Sequence, residues 1–479
     1  MSISLNIYSI ITIVNLFLAV AIIFLERKNV GVTWAWVLVL FFLPGIGFLL
    51  YLLLGQNLRK RKLYKIKEEQ EKLVNTVVEN QKKQLPDFQF HDPSNARYID
   101  LIYMNLVSAR SVFTQDNEVE IFTDGSSKFA SLFQSIEEAQ DHIHLMYYIV
   151  QNDSLGRKLI DALAKKAKEG VEVRFLYDDI GTRVPKSFFQ PLIEAGGKTS
   201  AFFPSRIPYL NVRVNYRNHR KMVIIDGFCG YIGGINVGNE YLGLNPRFGE
   251  WRDTHLKITG SAVLQMQSHF LLDWNLASAD KIEEVPWYFP VENRGKGKVG
   301  VQIVTSGPTQ QWEQIKNTYI KMIYAAKESV LIQTPYFIPD ESYITALQNA
   351  ALSGVNVTMM LPGKPDHKLV YWASWSYLNE LLEAGVNCYL YEKGFLHAKT
   401  IVVDGKVASV GTANVDLRSF QLNFEVNAVL YDTATATKLQ VVFLRDLENC
   451  RRLTMDEYRR RPIRIRFLES CARLLSPIL

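Results

Sequence analysis

The chain has 479 residues, 48% hydrophobic and 12% aromatic, so it is long enough for about three domains with sizeable cores. Its formal charge of +6 is concentrated in residues 56–90 and 445–479, each with nine basic side chains against five acidic ones. Because the rest of the chain is slightly acidic, the charge distribution argues against a nucleic-acid groove and favours contact with a membrane surface. Four scattered cysteines without CxxC spacing predict free thiols and exclude a disulfide framework or a zinc site.

Residues 1–58 predict two transmembrane helices, at about 4–25 and 31–55. No charged side chain occurs in residues 1–25 or 31–58, and each run is long enough to cross a hydrocarbon core as a helix. The short connection between the two runs predicts a helical hairpin, and a secretory signal peptide is disfavoured because no basic leading segment or cleavage site is present. Pro44, Gly45 and Gly47 predict a kink in the second helix.

A basic cluster at residues 59–62 follows the second apolar run. By the positive-inside rule it predicts that the bulk of the chain is cytoplasmic. We interpret residues 59–110 as a basic linker with an exposed, charged helix. From residue 111 onwards strands alternate with helices, which predicts α/β domains with a mixed sheet, domain 1 at 111–292 and domain 2 at 293–479.

One motif occurs twice: HRKMVIIDG begins at His219 and HAKTIVVDG begins at His397, 178 residues later. Each copy continues to a Gly-x-x-Asn, and the distance from the histidine to the asparagine is 17 positions in both, ending at Asn236 and Asn414. One such set of fixed positions has chance odds on the order of 10⁻⁶ per starting point. The two copies therefore indicate an internal repeat.

Strand geometry places the histidine and lysine of each motif together, since residues i and i+2 share a face. His219 and Lys221 therefore form one pair, and His397 and Lys399 the other. The aspartates lie at an odd offset, which favours a turn and structural role over catalysis. A two-residue Asp-Gly turn would pair His219 with Gly234 and His397 with Thr412, and would bring the asparagines close. The turn aspartates are Asp226 and Asp404.

Two histidines beside a cationic pocket suit phosphoryl transfer, which needs a nucleophile, a proton donor and fixed positive charge. Lysines and asparagines can stabilise the phosphate oxygens, so the sequence predicts neither a metal nor another cofactor. Each histidine also needs an acceptor for its other ring nitrogen. By spacing, Glu425 is expected to orient His397 and Asp253 to orient His219.

These twin motifs resemble the phospholipase D superfamily over roughly residues 110–479. The resemblance implies two α/β domains that share one active site and a covalent phosphohistidine intermediate. It implies that His219 and His397 act as nucleophile and general acid/base, within an HxKxxxxD motif whose aspartates are Asp226 and Asp404. It also implies that Lys221, Lys399 and the return-strand residues bind phosphate, these last being Gly234, Asn236, Thr412 and Asn414. Gly-Ser is common on the family's return strand, so Gly233-Gly234 predicts that the two half-sites differ, and Thr412 could bond the phosphate.

The N-terminal apolar runs together with GGIN, GEWRDTHL and RSFQLNFE resemble bacterial cardiolipin synthases. This resemblance implies a bacterial membrane enzyme that transfers a phosphatidyl group between two phosphatidylglycerols and releases glycerol. Its partners would be phosphatidylglycerol, other anionic phospholipids and the membrane, without nucleic acid. A hydrolytic phospholipase D that releases phosphatidic acid is the alternative, and a membrane-tethered nuclease is disfavoured by charge.

Two further segments keep two interpretations each. The basic and apolar C-terminal stretch that begins at Tyr458 is either an interfacial helix drawn to anionic lipid or a solvated helix packed on domain 2. The aromatic run at 371–377 is either a lipid-facing surface or ordinary packing, and His367 has no assigned role.

Overall fold

The computed structural model describes residues 7–25, 30–43, 45–51, 68–204, 216–282, 286–290 and 295–476. The helices are α1 Ile7–Leu25, α2 Val30–Phe42, α3 Ile46–Leu50, α4 Glu68–Gln84, α5 Ile99–Ala109, α6 Gly125–Glu138, α7 Ser154–Lys168, α8 Gln190–Glu194, α9 Ala262–Ala277, α10 Gln314–Ala325, α11 Glu341–Leu352, α12 Lys368–Ser376, α13 Leu378–Glu383, α14 Leu417–Gln421, α15 Thr433–Leu447, α16 Met455–Arg459 and α17 Ile463–Leu474.

The strands are β1 Thr114–Phe122, β2 His142–Tyr147, β3 Glu172–Asp178, β4 Lys198–Phe202, β5 Met222–Ile225, β6 Cys229–Gly233, β7 Glu250–Arg252, β8 His255–Thr259, β9 Val299–Ser306, β10 Ser329–Gln333, β11 Phe337–Ile338, β12 Asn356–Pro362, β13 Asn387–Tyr391, β14 Gly394–Leu396, β15 Thr400–Val403, β16 Val407–Gly411, β17 Val415–Asp416, β18 Glu425–Tyr431 and β19 Cys450–Leu453.

The chain divides into two compact units, of which the first contains α1, α2 and α3 and the second contains α4–α17 with all the strands. In the first unit α1 packs against α2, and the buried Asn15 side chain donates a hydrogen bond to the Leu40 carbonyl at 3.1 Å. The second helix ends at Phe42 and resumes at Ile46, and Gly45 has a positive φ of 79°, which confirms the predicted break. Across the described ranges, no helix meets the length and apolarity required to span a membrane. The start of the first predicted span at residue 4, the end of the second at residue 55 and the basic cluster at 59–62 lie outside the described residues.

The second unit is built on one mixed sheet, as predicted for two phospholipase D-like α/β domains. Within the described residues, fifteen strands follow the order β19-β13-β12-β10-β15-β16-β18-β9-β1-β8-β6-β5-β2-β3-β4. Each copy contributes a parallel β–α–β unit, β2-α7-β3 or β10-α11-β12, and an antiparallel hairpin, β5-β6 or β15-β16. The copies join where β1 pairs antiparallel with β9, so their strands form one continuous sheet.

The helices pack on this sheet through buried apolar side chains, which form two main clusters. One contains the α7 residues Leu159, Ile160 and Leu163, whose helical spacing predicted this face. The other contains residues of domain 2 together with Leu101 and Ile102 of α5. The interpretation of residues 59–110 as a linker is therefore wrong for α5, because this helix is an integral part of the second core.

The Asp-Gly turns of the two motifs are tight, since the aspartate and glycine both have positive φ, 54° and 67° at Asp226-Gly227 and 52° and 60° at Asp404-Gly405. The register differs by one residue from the prediction, because Ile225 pairs with Cys229 and Val403 with Val407. One extra residue is thus accommodated between the strands, which a two-residue loop count could not anticipate.

The turn aspartates lie away from the histidines and bind the backbone where β2 and β10 begin. Asp226 accepts hydrogen bonds of 2.8–2.9 Å from the amides of residues 140–142. Asp404 accepts equivalent hydrogen bonds from the amides of residues 327–329 and forms an ion pair with Arg97. Both aspartates therefore hold backbone amides in the structure, as their odd offset favoured, and not the catalytic position that membership of the HxKxxxxD motif would imply.

We predict that Asp226→Ala and Asp404→Ala each lower the free energy of unfolding by about 2 kcal/mol, because three backbone amides lose a charged acceptor. Chemical unfolding in mild detergent, followed by tryptophan fluorescence, measures this loss. Asp→Asn at the same positions keeps one acceptor oxygen and should recover part of it. Abolished turnover with unchanged stability would contradict the structural role.

Candidate active site

Each motif histidine lies on a backbone segment that pairs with the other copy of the repeat. Residue 218 forms a parallel bridge with Phe424, and the His219 amide donates to the Phe424 carbonyl at 3.0 Å. In the second half β14 pairs in parallel with β7, and the His397 amide donates to the Arg252 carbonyl at 2.7 Å. Each histidine is therefore adjacent to the residue that precedes the carboxylate of the opposite copy.

This pairing creates two crossed histidine–carboxylate dyads. Both oxygens of Glu425 are 3.0 Å from His219 Nδ1, and Asp253 Oδ2 is 2.7 Å from His397 Nδ1. Both acids contact a motif histidine, but the partners are exchanged relative to the pairing within a copy that chain spacing favoured. With Nδ1 engaged, Nε2 is the ring nitrogen of each histidine that is available for chemistry.

The two lysines make equivalent contacts. Lys221 Nζ donates to the His219 carbonyl and Lys399 Nζ to the His397 carbonyl, both at 2.6 Å. Burial lowers the pKa of Lys221 to about 7 and of Lys399 to about 8, although nearby carboxylates oppose the shift. Their ammonium groups are thus held in a site where an added anion would be strongly attracted.

The histidines have depressed pKa values. Burial lowers the pKa of His219 and of His397 to about 4, and the neighbouring lysines add to the effect while the paired carboxylates oppose it. Burial also opposes ionisation of Glu425 and Asp253, yet the facing histidine and the lysines hold the pKa of both carboxyls below its ordinary value. Before a substrate binds, the favoured state at neutral pH is two neutral imidazoles against two carboxylates.

The return strands differ between the halves, as the Gly-Gly sequence predicted. The difference concerns the contacts with the two carboxylates and not a hydroxyl for phosphate. Thr412 donates its hydroxyl to Glu425 at 2.6 Å, so its expected bond to phosphate is replaced by a bond to the carboxylate. A Cβ on Gly234 would lie 2.1 Å from Asp253 Oδ1. The glycine therefore makes room for one carboxylate, and the threonine hydroxyl holds the other.

The asparagines that end the two motifs are both buried. Asn236 accepts from the Ile149 amide and donates to the Tyr241 hydroxyl, both at 3.1 Å. Asn414 Oδ1 is a buried acceptor that has no hydrogen-bond partner within the described part of the chain. An amide with an unsatisfied oxygen can receive a substrate hydroxyl, whereas Asn236 already serves the scaffold.

Two buried arginines that the sequence interpretation missed stabilise the crossed segments. Arg220 forms an ion pair with Asp273 of α9 and donates through Nε to the Glu425 carbonyl at 3.1 Å. Arg252 pairs with Asp446 of α15 at 2.8 Å and also donates to the Asp253 carbonyl. The sequence does contain a feature that could have indicated these arginines: each is a charged residue inside an otherwise buried segment, and a buried charge requires a partner.

Aromatic side chains border both histidines. Tyr148 lies edge-on to His219 with ring centroids 4.8 Å apart, and Trp251 lies 5.2 Å from His397. Tyr336 donates to Asp366, a carboxylate close enough to Lys399 to influence its pKa. Among the described residues, no group of three or more His, Cys, Asp or Glu side chains could hold a metal ion.

Sequence families match most of the chain. The family described as "Cardiolipin synthase, PLD-like domain" matches residues 132–274 and 319–447, and "Phospholipase D-nuclease N-terminal" matches residues 5–56. The chain belongs to the phospholipase D-like cardiolipin synthase family. The family resemblance inferred from the twin motifs is thereby confirmed.

Relatives align with this family member from end to end. It is 54% identical to the major cardiolipin synthase ClsA of Bacillus subtilis (strain 168), with 100% of both chains covered. It is 52% identical to a cardiolipin synthase of Oceanobacillus iheyensis, with 98% of both chains covered. The crystal structure of phosphatidylserine synthase from Haemophilus influenzae Rd KW20 shares the fold, with a TM-score of 0.61 and 14% identity over 79% of this chain and 100% of that one.

We predict that the crossed pairs are energetically coupled and the same-copy pairs are not. Double-mutant cycles on the free energy of unfolding should give about 1–3 kcal/mol for His219→Ala with Glu425→Ala, because a buried charge-assisted hydrogen bond is removed. The matched control, His219→Ala with Asp253→Ala, should be additive within about 0.5 kcal/mol. The reverse pattern would restore the pairing expected from sequence spacing.

Proposed function

We propose that this cardiolipin synthase family member makes cardiolipin and glycerol from two molecules of phosphatidylglycerol. The observation that carries the proposal is the pair of histidine–carboxylate dyads, each with a buried lysine, assembled from both copies. One dyad supplies a nucleophile and the other a proton donor and acceptor, as a two-step transfer at phosphorus requires. Support comes also from the relatives at 50–54% identity that carry the name cardiolipin synthase.

In the first step His219 Nε2 attacks the phosphorus of one phosphatidylglycerol. The bond from phosphorus to the headgroup glycerol oxygen breaks, and protonated His397 gives its Nε2 proton to that oxygen, so glycerol leaves. The phosphatidyl group is then bonded to His219. The choice of His219 as nucleophile follows the family precedent for the first-copy histidine.

In the second step the neutral His397 removes a proton from a headgroup hydroxyl of the second phosphatidylglycerol. That oxygen attacks phosphorus, the phosphorus–nitrogen bond breaks, and cardiolipin is released with both histidines in their starting states. Glu425 and Asp253 orient the two rings through Nδ1, and the ammonium groups of Lys221 and Lys399 stabilise the phosphate oxygens. Hydrolysis to phosphatidic acid would use the same groups with water in place of the lipid hydroxyl.

We expect purified full-length protein to convert phosphatidylglycerol into cardiolipin and glycerol, with products resolved by mass spectrometry. His219→Ala and His397→Ala should each lower the rate at least about a thousandfold, because nucleophile and proton transfer both disappear. Rapid denaturation of the wild type at mildly alkaline pH, where a phosphorus–nitrogen bond to histidine persists, should trap a phosphatidyl adduct on His219.

The outcomes separate the candidate reactions. Phosphatidic acid as the only lipid product would establish the hydrolytic alternative. An adduct on His397 would exchange the two histidine roles, and near-normal turnover by either alanine variant would exclude a shared site. Lys438→Glu, an exposed change on α15, is the control for nonspecific effects.

We propose further that α1 and α2–α3 form the predicted multi-pass anchor in the bacterial cell membrane, with the catalytic unit in the cytoplasm. Support comes from the uncharged runs at 1–25 and 31–58 and from the match of residues 5–56 to the family's N-terminal region.

An impermeant thiol reagent applied to intact cells tests this topology. We expect it to label a cysteine introduced in the connection at 26–30, which would face the exterior. It should spare a cysteine introduced at Leu352, a 73% exposed position on α11 of the catalytic unit, until the membrane is permeabilised. Labelling of Leu352→Cys in intact cells would show that the orientation is the reverse.

A further inference from the structure

The C-terminal helix α17 presents an apolar stripe to solvent. Ile463, Phe467 and Leu474 are 83%, 68% and 81% exposed, and the exposed Cys471 lies between the last two at helical spacing. Exposed apolar side chains occur singly on most surfaces, but four on one helix face form a continuous patch. A patch of this kind marks an interaction surface.

The opposite face of α17 is firmly attached to domain 2, so the stripe cannot simply turn inwards. Glu469 and Ala472 are buried, and α17 packs along α12. Arg461 holds both oxygens of Glu469 at 2.7–3.0 Å, and the Tyr377 hydroxyl bonds Ser476 at 3.0 Å. The structure agrees with the interpretation that α17 packs on domain 2. The exposed face of the same helix still combines apolar and basic side chains, as the interfacial interpretation requires.

Positive charge surrounds the stripe. Arg464 and Arg466 of α17 and Arg459 and Arg460 just before it are exposed. Glu469 is the one acidic residue of α17, and its carboxylate is already paired with Arg461. The exposed surface of the helix is thus apolar along its centre and cationic at its margins.

An apolar stripe with cationic margins is suited to binding an anionic lipid surface. Aliphatic and aromatic side chains enter the boundary between headgroups and acyl chains, while arginines bind lipid phosphates. A second copy of the chain fits poorly, because a symmetric contact through this face would bring arginines of both copies together.

The helix that carries the stripe packs on an element that follows a carboxylate near the active site. The helix α12, on which α17 packs, begins two residues after Asp366, the carboxylate that contacts Tyr336 and influences Lys399. Tyr371 and Trp375 of α12 line a cavity together with Tyr336 and Asp366. A bilayer bound at α17 would therefore lie beside the aromatic segment that borders the site.

We propose that the outer face of α17 is a membrane-docking surface that holds the catalytic unit against bilayers rich in anionic phospholipid. The inference rests on the proposed function for its lipid substrate, and it adds a second membrane contact to the predicted N-terminal anchor. Docking at this face favours turnover of lipid that is packed in a bilayer and leaves the chemistry itself unchanged.

The first test uses the full-length chain in vesicles, with an environment-sensitive fluorophore on Cys471 and the other three cysteines replaced. The emission should shift to the blue in vesicles that contain phosphatidylglycerol, relative to phosphatidylcholine alone. A probe at Leu352→Cys, a position 73% exposed on α11, is the matched control and should not respond. An unchanged Cys471 spectrum overturns the proposal, as does a shift that follows protein concentration and not lipid, which would indicate a second copy.

The second test compares substrates. Ile463→Ser/Phe467→Ser/Leu474→Ser and Arg464→Glu/Arg466→Glu should each lower turnover of vesicular phosphatidylglycerol about tenfold, yet leave turnover of monomeric short-chain phosphatidylglycerol unchanged. The control Tyr324→Ser/Leu352→Ser/Leu444→Ser changes exposed residues elsewhere on domain 2. If the α17 variants turn over vesicular phosphatidylglycerol as fast as the wild type, or lose activity equally on both substrates, the docking role is overturned. Absence of cardiolipin from the wild type with the short-chain lipid would instead refute the proposed function.

Discussion

The catalytic geometry depends on one constraint, the parallel backbone pairing that places the segment before each carboxylate beside the segment before the opposite histidine. The amides of His219 and His397 donate to Phe424 and Arg252, so each acid follows directly at the correct ring. Neither copy of the repeat therefore contains a complete dyad. Arg220–Asp273 and Arg252–Asp446 then attach these segments to the helices behind them. Loss of alignment between the two copies would disable both histidines together.

Part of this site could be predicted from sequence, because the Asp-Gly turns and the β–α–β units are local patterns. His219 and Lys221 lie just before β5 and not on a strand, so the shared strand face expected for them is wrong, although the lysine does bond the histidine's carbonyl. The partners of Glu425 and Asp253 could not be predicted, since chain spacing carries no information on contacts between repeats. The burial of α5 was missed for the same reason: its apolar face meets a core that forms some 200 residues later, where Asn105 bonds Gln302.

The two halves of the site position their carboxylates with different side chains. Asp253 is short, so its carboxylate occupies space that a side chain at position 234 would fill, and glycine is required there. Glu425 is longer by one methylene, and the hydroxyl of Thr412 supports it at 2.6 Å. A carboxylate that also accepts a hydroxyl bond is held more rigidly and is a weaker base. The halves are thus suited to unequal roles, although the twin motifs alone look equivalent.

Charge balance explains how a site with such low histidine pKa values can supply a proton. Without substrate, Lys221 and Lys399 face Glu425 and Asp253, and burial of two cations together depresses the pKa of each lysine and each imidazole. A phosphodiester brings one negative charge into the centre of this group. Opposite charge at close range favours the protonated form, so in the proposed mechanism it raises the pKa of both lysines and of His397 when a proton donor is needed. On that proposal the substrate's own charge prepares His397 as the general acid, and an uncharged ester that fits the same space would leave both imidazoles neutral.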